Sequence, residues 1–473
     1  MNKTLNFHLR ALFCAVAVTF CGAALAQGGH DSKTVESRRV SLRDSILDNI
    51  HGATISDNTF DILKFGAKGD GVKDCLPAFK KAIAKVDKAG GGRINVPAGT
   101  YYLRGPLTLV SNLCIHLEEG ATLRFDPDPE LYPIVDTSWE GTPLHNYSPM
   151  IYGKDLHDVA ITGMGLIDGN AMTTFATWRA RQKPAQMRSR EMNHNGVPVD
   201  ERQFGEDDYL RPHLIQLYGC TRVTLEDFKI INSPFWCVHI LQCDDAVCRG
   251  LRYDAKLVNN DGIDPESSSN VLIEDIHFDN GDDNIAIKSG RDNDGWALAR
   301  PCENIVIRNC HFKGLHAVVI GSEMSGGVRN VIIENCDYAG YCKRGLYVKT
   351  NPDRGGFVRG IFVKDCKFGD IEDLFYVTSR YAGEGLDNNH YSTVTDIHVD
   401  GMTCGKASGA ALVLQGTPQR PITDVSFDNI SVESAVTGIS FSDAVGVDMG
   451  TCHIGPAAGT PTQVSAKDKI FEK

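Results

Sequence analysis

Residues 259–290 read NNDGIDPESSSNVLIEDIHFDNGDDNIAIKSG and set two carboxylate pairs, Asp261 with Asp264 and Asp282 with Asp283, around one short apolar segment. Carboxyl groups massed in so small a region, with Lys288 beside them, suit a site where protons are transferred. Asp-Gly and Gly-Asp turns use the same residues in contact with water. What separates the two readings is whether the rest of the chain stacks these residues together.

The apolar segment Val271-Leu272-Ile273 has strand character, as does Ile285-Ala286-Ile287, where period two turns Ile285 and Ile287 inward and Lys288 outward. The form Asn/Asp-Val/Ile-x-Val/Ile-x-Asn/Asp recurs, with anchors at Val223, Val247, Val271, Ile305, Val331, Ile361, Ile397 and Val425, 24 to 36 residues apart. Repeats of this length, rich in β-branched residues and Asn or Gly turns, indicate a solenoid of strands with loop insertions at the longer steps. Helical repeats would need a 3.6-residue pattern, and propeller blades need about 40 or more residues. The expected fold is all-β, a right-handed parallel β-helix. Upstream, Leu76, Phe79, Ile83 and Val86 share one helical face behind an N-cap at Asp74, which predicts a helix capping one end of the core. The tail after His453 is expected to cap the other end. Two polar excursions, residues 169–210 and 381–391, break the repeat and are positioned to wall a groove.

Aligning Ile263, Ile285, Val318 and Leu346 as inward positions puts Asp261, Asp283, His316 and Arg344 two residues earlier on successive turns. Parallel strands lie about 4.8 Å apart, so the four form one outward column, with Asp282 beside it. Lys288 and Lys349 share another outward position. Acid, acid, imidazole and guanidinium in register favour the catalytic reading over solvated turns.

The chain of 473 residues carries a net charge of -12, which disfavours nucleic acid as a partner. Between Lys343 and Lys367, however, seven basic residues face only Asp353 and Asp365, a local surplus suited to an anionic ligand. Residues 1–26 read as a signal peptide, with Lys3 and Arg10 before an apolar run that ends at Ala24-Leu25-Ala26. Residues 27–58 follow as a polar arm with a short helix near Ser41 to Ile50, and 59–473 form the β-helix domain. The run is short for a membrane span, so the mature protein is expected free of the membrane, in the periplasm or outside the cell. Thirteen cysteines remain after cleavage. Cys310, Cys336, Cys366 and Cys404 follow equivalent strand segments, which predicts stacked buried thiols, with one or two bridges left open.

The motifs together resemble glycoside hydrolase family 28, the polygalacturonases. FDILKFGAKGDGVKDCLPAFKKAI, GGGRINVPAGTYYL and LYGCTRVTLEDFKIINSPFW carry the likeness along the chain. NNDGID is similar to the family's Asn-Thr-Asp block, GDDNIAIKSG to its Asp-Asp block and LHAVVIGS to its Gly-His-Gly block. The resemblance implies Asp282 as general acid, Asp261 and Asp283 acting on water, His316 supporting the acid and Lys349 binding the sugar. It also implies inversion at the anomeric carbon, no metal or other cofactor, and a pectic polysaccharide or oligosaccharide as substrate. Arg-Ile-Lys of the family stands here as Tyr347-Val348-Lys349, so the arginine that would grip a uronate is absent. Tyr347 can stack on a sugar instead, and with Arg344 and Lys288 it completes the expected substrate-binding set. Galacturonosyl linkages cleaved from a chain end are the expected target. A rhamnogalacturonan hydrolase, a lyase holding calcium on Asp261, Asp282 and Asp283, and a non-catalytic glycan-binding solenoid are the alternatives.

Overall fold

The Asn or Asp near the start of most repeat strands has a backbone reason to recur. Asp245, Asn270, Asn304, Asn330, Asp396 and Asp424 all adopt the left-handed conformation, φ between 56° and 59°, that turns the chain into the strand. Asn and Asp tolerate this conformation better than other side-chain-bearing residues, and their amides or carboxylates bond along the stack. Asn304 Nδ2 donates to Asn270 Oδ1 at 3.1 Å and Asn330 Nδ2 to Asn304 Oδ1 at 2.9 Å.

The computed structural model describes residues 32–457 except 384, 385 and 387; the signal-peptide reading and the end of the C-terminal tail fall outside them. These residues form a right-handed parallel β-helix, its rungs paired into sheets of 24 and 6 strands. Inward Ile, Val, Leu, Phe and Cys side chains stack into one continuous core. The capping helix is present at Leu76–Lys88 with Leu76, Phe79, Ile83 and Val86 buried, and Asp74 Oδ1 accepts from Leu76 N at 2.9 Å. At the other end the strand Cys452–Pro456 pairs on Ile430–Ser442 and continues the stack, so the described part of the tail extends the solenoid.

Two registers differ from the expected ones. Val223 pairs with Ala246, not Val247, so Val247 faces outward. A slip of one residue exchanges the faces of a strand, and alanine is a weak marker of the inner face. Cys310, Cys336 and Cys366 do stack, but Cys366 pairs with Met402, which leaves Cys404 opposite Phe368. All thirteen described cysteines are free thiols, twelve of them buried.

Outward-facing Val247 has a partner. The polar arm contains a helix, Ser32–Leu47, longer than expected and docked flat across the outside of the solenoid. Val35, Leu42 and Ile46 fall on one stripe, and the cluster they enter includes Val247, Leu272, Val306, Ile332 and Phe362 from five successive rungs. Arg39 pairs with Glu334 and Arg38 reaches Asp396 at 2.5 Å. Beyond the helix, His51 and Gly52 donate backbone N–H to Asp245 Oδ1, Ala53 to Thr224 Oγ1 and Thr54 to Asp158 Oδ1, one rung after another.

Candidate active site

One strand of each rung carries the acidic column. Ile263 pairs with Ile285, Asp283 with His316, His316 with Arg344 and Arg344 with Asp373. The ladder reaches Asp261 through Gly262 N, which donates to Asp283 O at 2.9 Å. Residue 262 must be glycine, because a Cβ there would lie 2.4 Å from Asn284 O and 2.7 Å from the Phe278 ring. That close approach draws the Asp261 rung onto the Asp283 rung. The predicted column is therefore present, and Asp373 extends it.

Asp261, Asp282 and Asp283 meet in a cavity of about 290 Å³ that Lys288 and Lys349 also line. Asp283 is buried, with His316 Nδ1 2.5 Å from Oδ1 and Lys349 Nζ 3.1 Å from Oδ2. Burial pushes its carboxyl up, but Lys349 and His316 outweigh that and hold it well below the usual carboxylate range. Asp282 keeps partial exposure, and among the described residues its Oδ2 meets only the long contacts of Asn259 N and Nδ2, at 3.3 and 3.5 Å. Burial and then the neighbouring Asp283 charge raise it. Asp261 is driven well above the usual range by burial and by Asp264, Asp282 and Asp283, and its Oδ1 has no hydrogen-bond partner among the described residues. One ionised carboxylate thus sits beside two that favour the proton, the separation acid–base chemistry needs.

His316 bonds Asp283, not Asp282, so it serves the ionised partner and not the expected acid. Lys288 lines the cavity but is buried, 3.2 Å from Glu323 Oε2 and 4.6 Å over the Trp236 ring. Gly321 stands between Lys288 and Lys349 in their shared outward position. Tyr347 and Arg344 fall outside the cavity lining. Tyr347 points outward as alternation requires, yet only 6% of it is exposed. It packs on Ala286, Val319 and Tyr376, with the Arg344 guanidinium 4.5 Å over its ring. Arg344 is held by Asp373 at 3.1 Å. The expected stacking of Tyr347 on a sugar is corrected on that ground: the side chains around it cover the ring. The basic surplus between Lys343 and Lys367 is likewise dispersed. Only Lys349 and Arg354 from it line the cavity, while Lys364 pairs with Asp400 and Arg359 lies over Phe357.

Both polar excursions do wall the cavity, through Gln186 and Arg190 from the first and Tyr381 and Ala382 from the second. The first carries two helices, Phe175–Trp178 and Lys183–His194. Asp353 accepts from Leu386 N and Asn388 N, and His390 stacks on Trp296 at 3.9 Å, which anchors the second. Sequence reasoning missed Glu140, Arg291 and Glu323. Glu140 closes an antiparallel hairpin, Ile134–Trp139 with Thr142–Tyr147, that follows no repeat. Glu323 accepts from Arg291 Nη2 at 2.6 Å and from Lys288, and these cations hold it ionised against the effect of burial. Its position two residues past the strand His316–Gly321, at the rung of the two lysines, was the available signal.

Comparison with known proteins fits this geometry. The model of "Glycosyl hydrolases family 28" matches residues 92–446, and that of "Rhamnogalacturonase A/epimerase, pectate lyase-like" matches 59–116. A "Probable polygalacturonase" of Vitis vinifera is 29% identical over 84% of this chain and 79% of its own length. An "Exo-poly-alpha-D-galacturonosidase" of Dickeya chrysanthemi is 26% identical over 82% of this chain and 70% of its own. The crystal structure of a hyperthermoactive exopolygalacturonase from Thermotoga maritima superposes with a TM-score of 0.82 and 35% identity, covering 89% of this chain and 96% of that one. With the family model spanning most of the chain over the rungs that carry the acidic column, the protein belongs to glycosyl hydrolase family 28 and is a glycoside hydrolase.

Proposed function

We propose that the protein hydrolyses galacturonosyl linkages of pectic polysaccharides or oligosaccharides from a chain end, with inversion. The observation that carries the reading is the split among three adjacent carboxyls in one cavity. Asp282, raised and partly exposed, gives its proton to the leaving oxygen. Asp283, kept ionised by Lys349 and His316, takes a proton from water, and Asp261 helps to position that water. Single displacement of this kind inverts the anomeric centre. Lys349 then has two tasks, holding Asp283 charged and presenting a cation to the bound sugar.

Action from a chain end is supported by the walls. A cavity of about 290 Å³ is at the small end of ligand pockets, and residues 186, 190, 381 and 382, from two insertions outside the repeat, wall it. The likeness to a protein described as an exopolygalacturonase points the same way. We also infer export after removal of residues 1–26. The test is product analysis on polygalacturonate: monomer or dimer from the first moments supports the reading, and a ladder of intermediate oligomers opposes exo action. A calcium-dependent elimination would use the same aspartates, but both oxygens of Asp283 are already engaged, by the His316 ring and the Lys349 ammonium. An unsaturated, ultraviolet-absorbing product would favour that alternative.

A further inference from the structure

Resting on the galacturonide reading above, we propose that Trp236 binds substrate, its indole N–H donating a hydrogen bond to an oxygen of the terminal sugar. Trp236 lines the cavity together with Asp261, Asp282 and Asp283. Its place there follows from the register that makes the acidic column. Val238, an inward core residue, pairs with Ile263, and Cys237 N donates to Asp261 O at 2.9 Å. Trp236 thus stands two residues before an inward position, as Asp261 and Asp283 do. The column begins one rung earlier than its acids, and Trp236 flanks Asp261 on the side away from Asp283, about 4.8 Å along the stack.

The ring is held in place on several sides. Phe235 stacks on it at 5.1 Å and 15°, His239 meets it edge-on at 5.2 Å, and Lys288 Nζ lies 4.6 Å from its centre. Trp236 also belongs to a small apolar cluster outside the main core. That cluster includes Phe235, Trp139 and Leu144 from the antiparallel hairpin, and Ala185 from the helix Lys183–His194. Two elements foreign to the repeat therefore close over the coil at this end of the column. The terminal sugar is accordingly assigned to the Trp236 side of the acids, and the sugar across the scissile bond to the Lys349 side.

What the packing leaves open is the indole N–H. Tryptophan is a donor only, and a buried one usually finds an acceptor. Trp139 Nε1 donates to Arg211 O at 3.1 Å, and Trp296 Nε1 to Arg354 O at 2.9 Å. Trp236 is only 3% exposed, yet its Nε1 has no hydrogen-bond partner among the described residues and is not sealed from solvent. An unpaired donor in so enclosed a setting is costly, and a fixed N–H on a residue lining the catalytic cavity suits an acceptor that arrives with the substrate. Hydroxyl, ring and carboxylate oxygens of a galacturonide all qualify. A ligand without an acceptor at that point is rejected, because it leaves the donor unpaired.

The experiment begins with Trp236→Phe, which keeps a ring in the cluster and removes the N–H. On trigalacturonate its KM is expected to rise about fivefold, the value of one hydrogen bond, with kcat within about twofold of wild type. An unchanged KM overturns the proposal. A second measurement needs no change at Trp236. In Asp282→Asn protein with nitrogen-labelled tryptophan, the indole N–H signals are followed by NMR as trigalacturonate is added. They are assigned through variants of the other three tryptophans. The Trp236 signal is expected to move downfield and to exchange more slowly with solvent, while those of Trp139 and Trp296, bonded within the protein, stay in place. A Trp236 signal unmoved at saturating trimer also overturns the proposal. Failure of the wild type to cleave trigalacturonate would instead defeat the galacturonide reading on which the proposal rests.

Discussion

His316 Nδ1 lies 2.5 Å from Asp283 Oδ1, so the imidazole is committed to one of two adjacent aspartates, and the other, Asp282, has no side-chain cation in hydrogen-bond contact among the described residues. That asymmetry divides the labour of the pair. Replacing Asp282 by Asn is expected to lower kcat by about 100-fold or more, the usual contribution of a positioned acid, with no loss of folding by circular dichroism. Near-normal turnover in that variant would remove Asp282 from the role.

Stereochemistry is an independent check. Proton NMR of the first-formed sugar should show inverted anomeric configuration, since a water-mediated single displacement admits no covalent intermediate. Net retention would contradict the mechanism whichever linkage is cut.

Lys349 offers a pH test with a definite sign. Its ammonium, with His316, holds Asp283 well below the usual carboxylate range. Lys349→Met removes that charge, so the Asp283 carboxyl must rise. The acidic limb of kcat/KM should then move to higher pH, beyond the general loss of activity. An unmoved limb would mean that Asp283 is not the group whose ionisation is required.

Asp264 gives the opposite sign in stability. It is fully buried, neither oxygen has a hydrogen-bond partner among the described residues, and burial raises its carboxyl well above the usual range. A group raised on folding stabilises fully below its unfolded value, about 3.9, and loses that contribution as pH climbs toward the folded value. Asp264→Asn cannot ionise, so its melting temperature relative to wild type should increase from about pH 4 toward neutrality. A pH-independent difference between the two proteins would show that Asp264 does not titrate differently on folding.

Tyr347→Arg should not create a uronate-binding site. The new guanidinium would be buried beside Arg344 and Lys349 without a carboxylate of its own, a loss on the order of 3 kcal/mol. Denaturant unfolding should register that loss, and the preference for galacturonides over neutral sugars should not rise. A stable variant with enhanced galacturonide preference would restore Tyr347 as a specificity position.

These outcomes reflect what a linear pattern can carry. The column Asp261, Asp283, His316 and Arg344 was legible because a period of two and a repeating rung fix both face and neighbour. The slip at Val247 arose where Ala246 gave too little apolar signal and the outward valine had its own hydrophobic partner in the arm. Tyr347 was correctly turned outward, but direction does not give exposure, and Arg344 and Tyr376 cover it. Glu140 was invisible because a hairpin outside the repeat brings it to the site, and no local pattern links it to Arg190, 50 residues on.

The arm laid across the outside of the solenoid bears on how the molecule comes apart. In a stack where each rung touches only its neighbours, rungs can in principle fray one at a time from either end. Here a single helix shares its apolar stripe with five successive rungs, and the segment after it bonds to three more side chains along the stack. Separating any one of those rungs must also strip the helix from the others. The stretch that carries the aspartates is therefore expected to melt as a cooperative block, with the catalytic register protected from piecemeal loss.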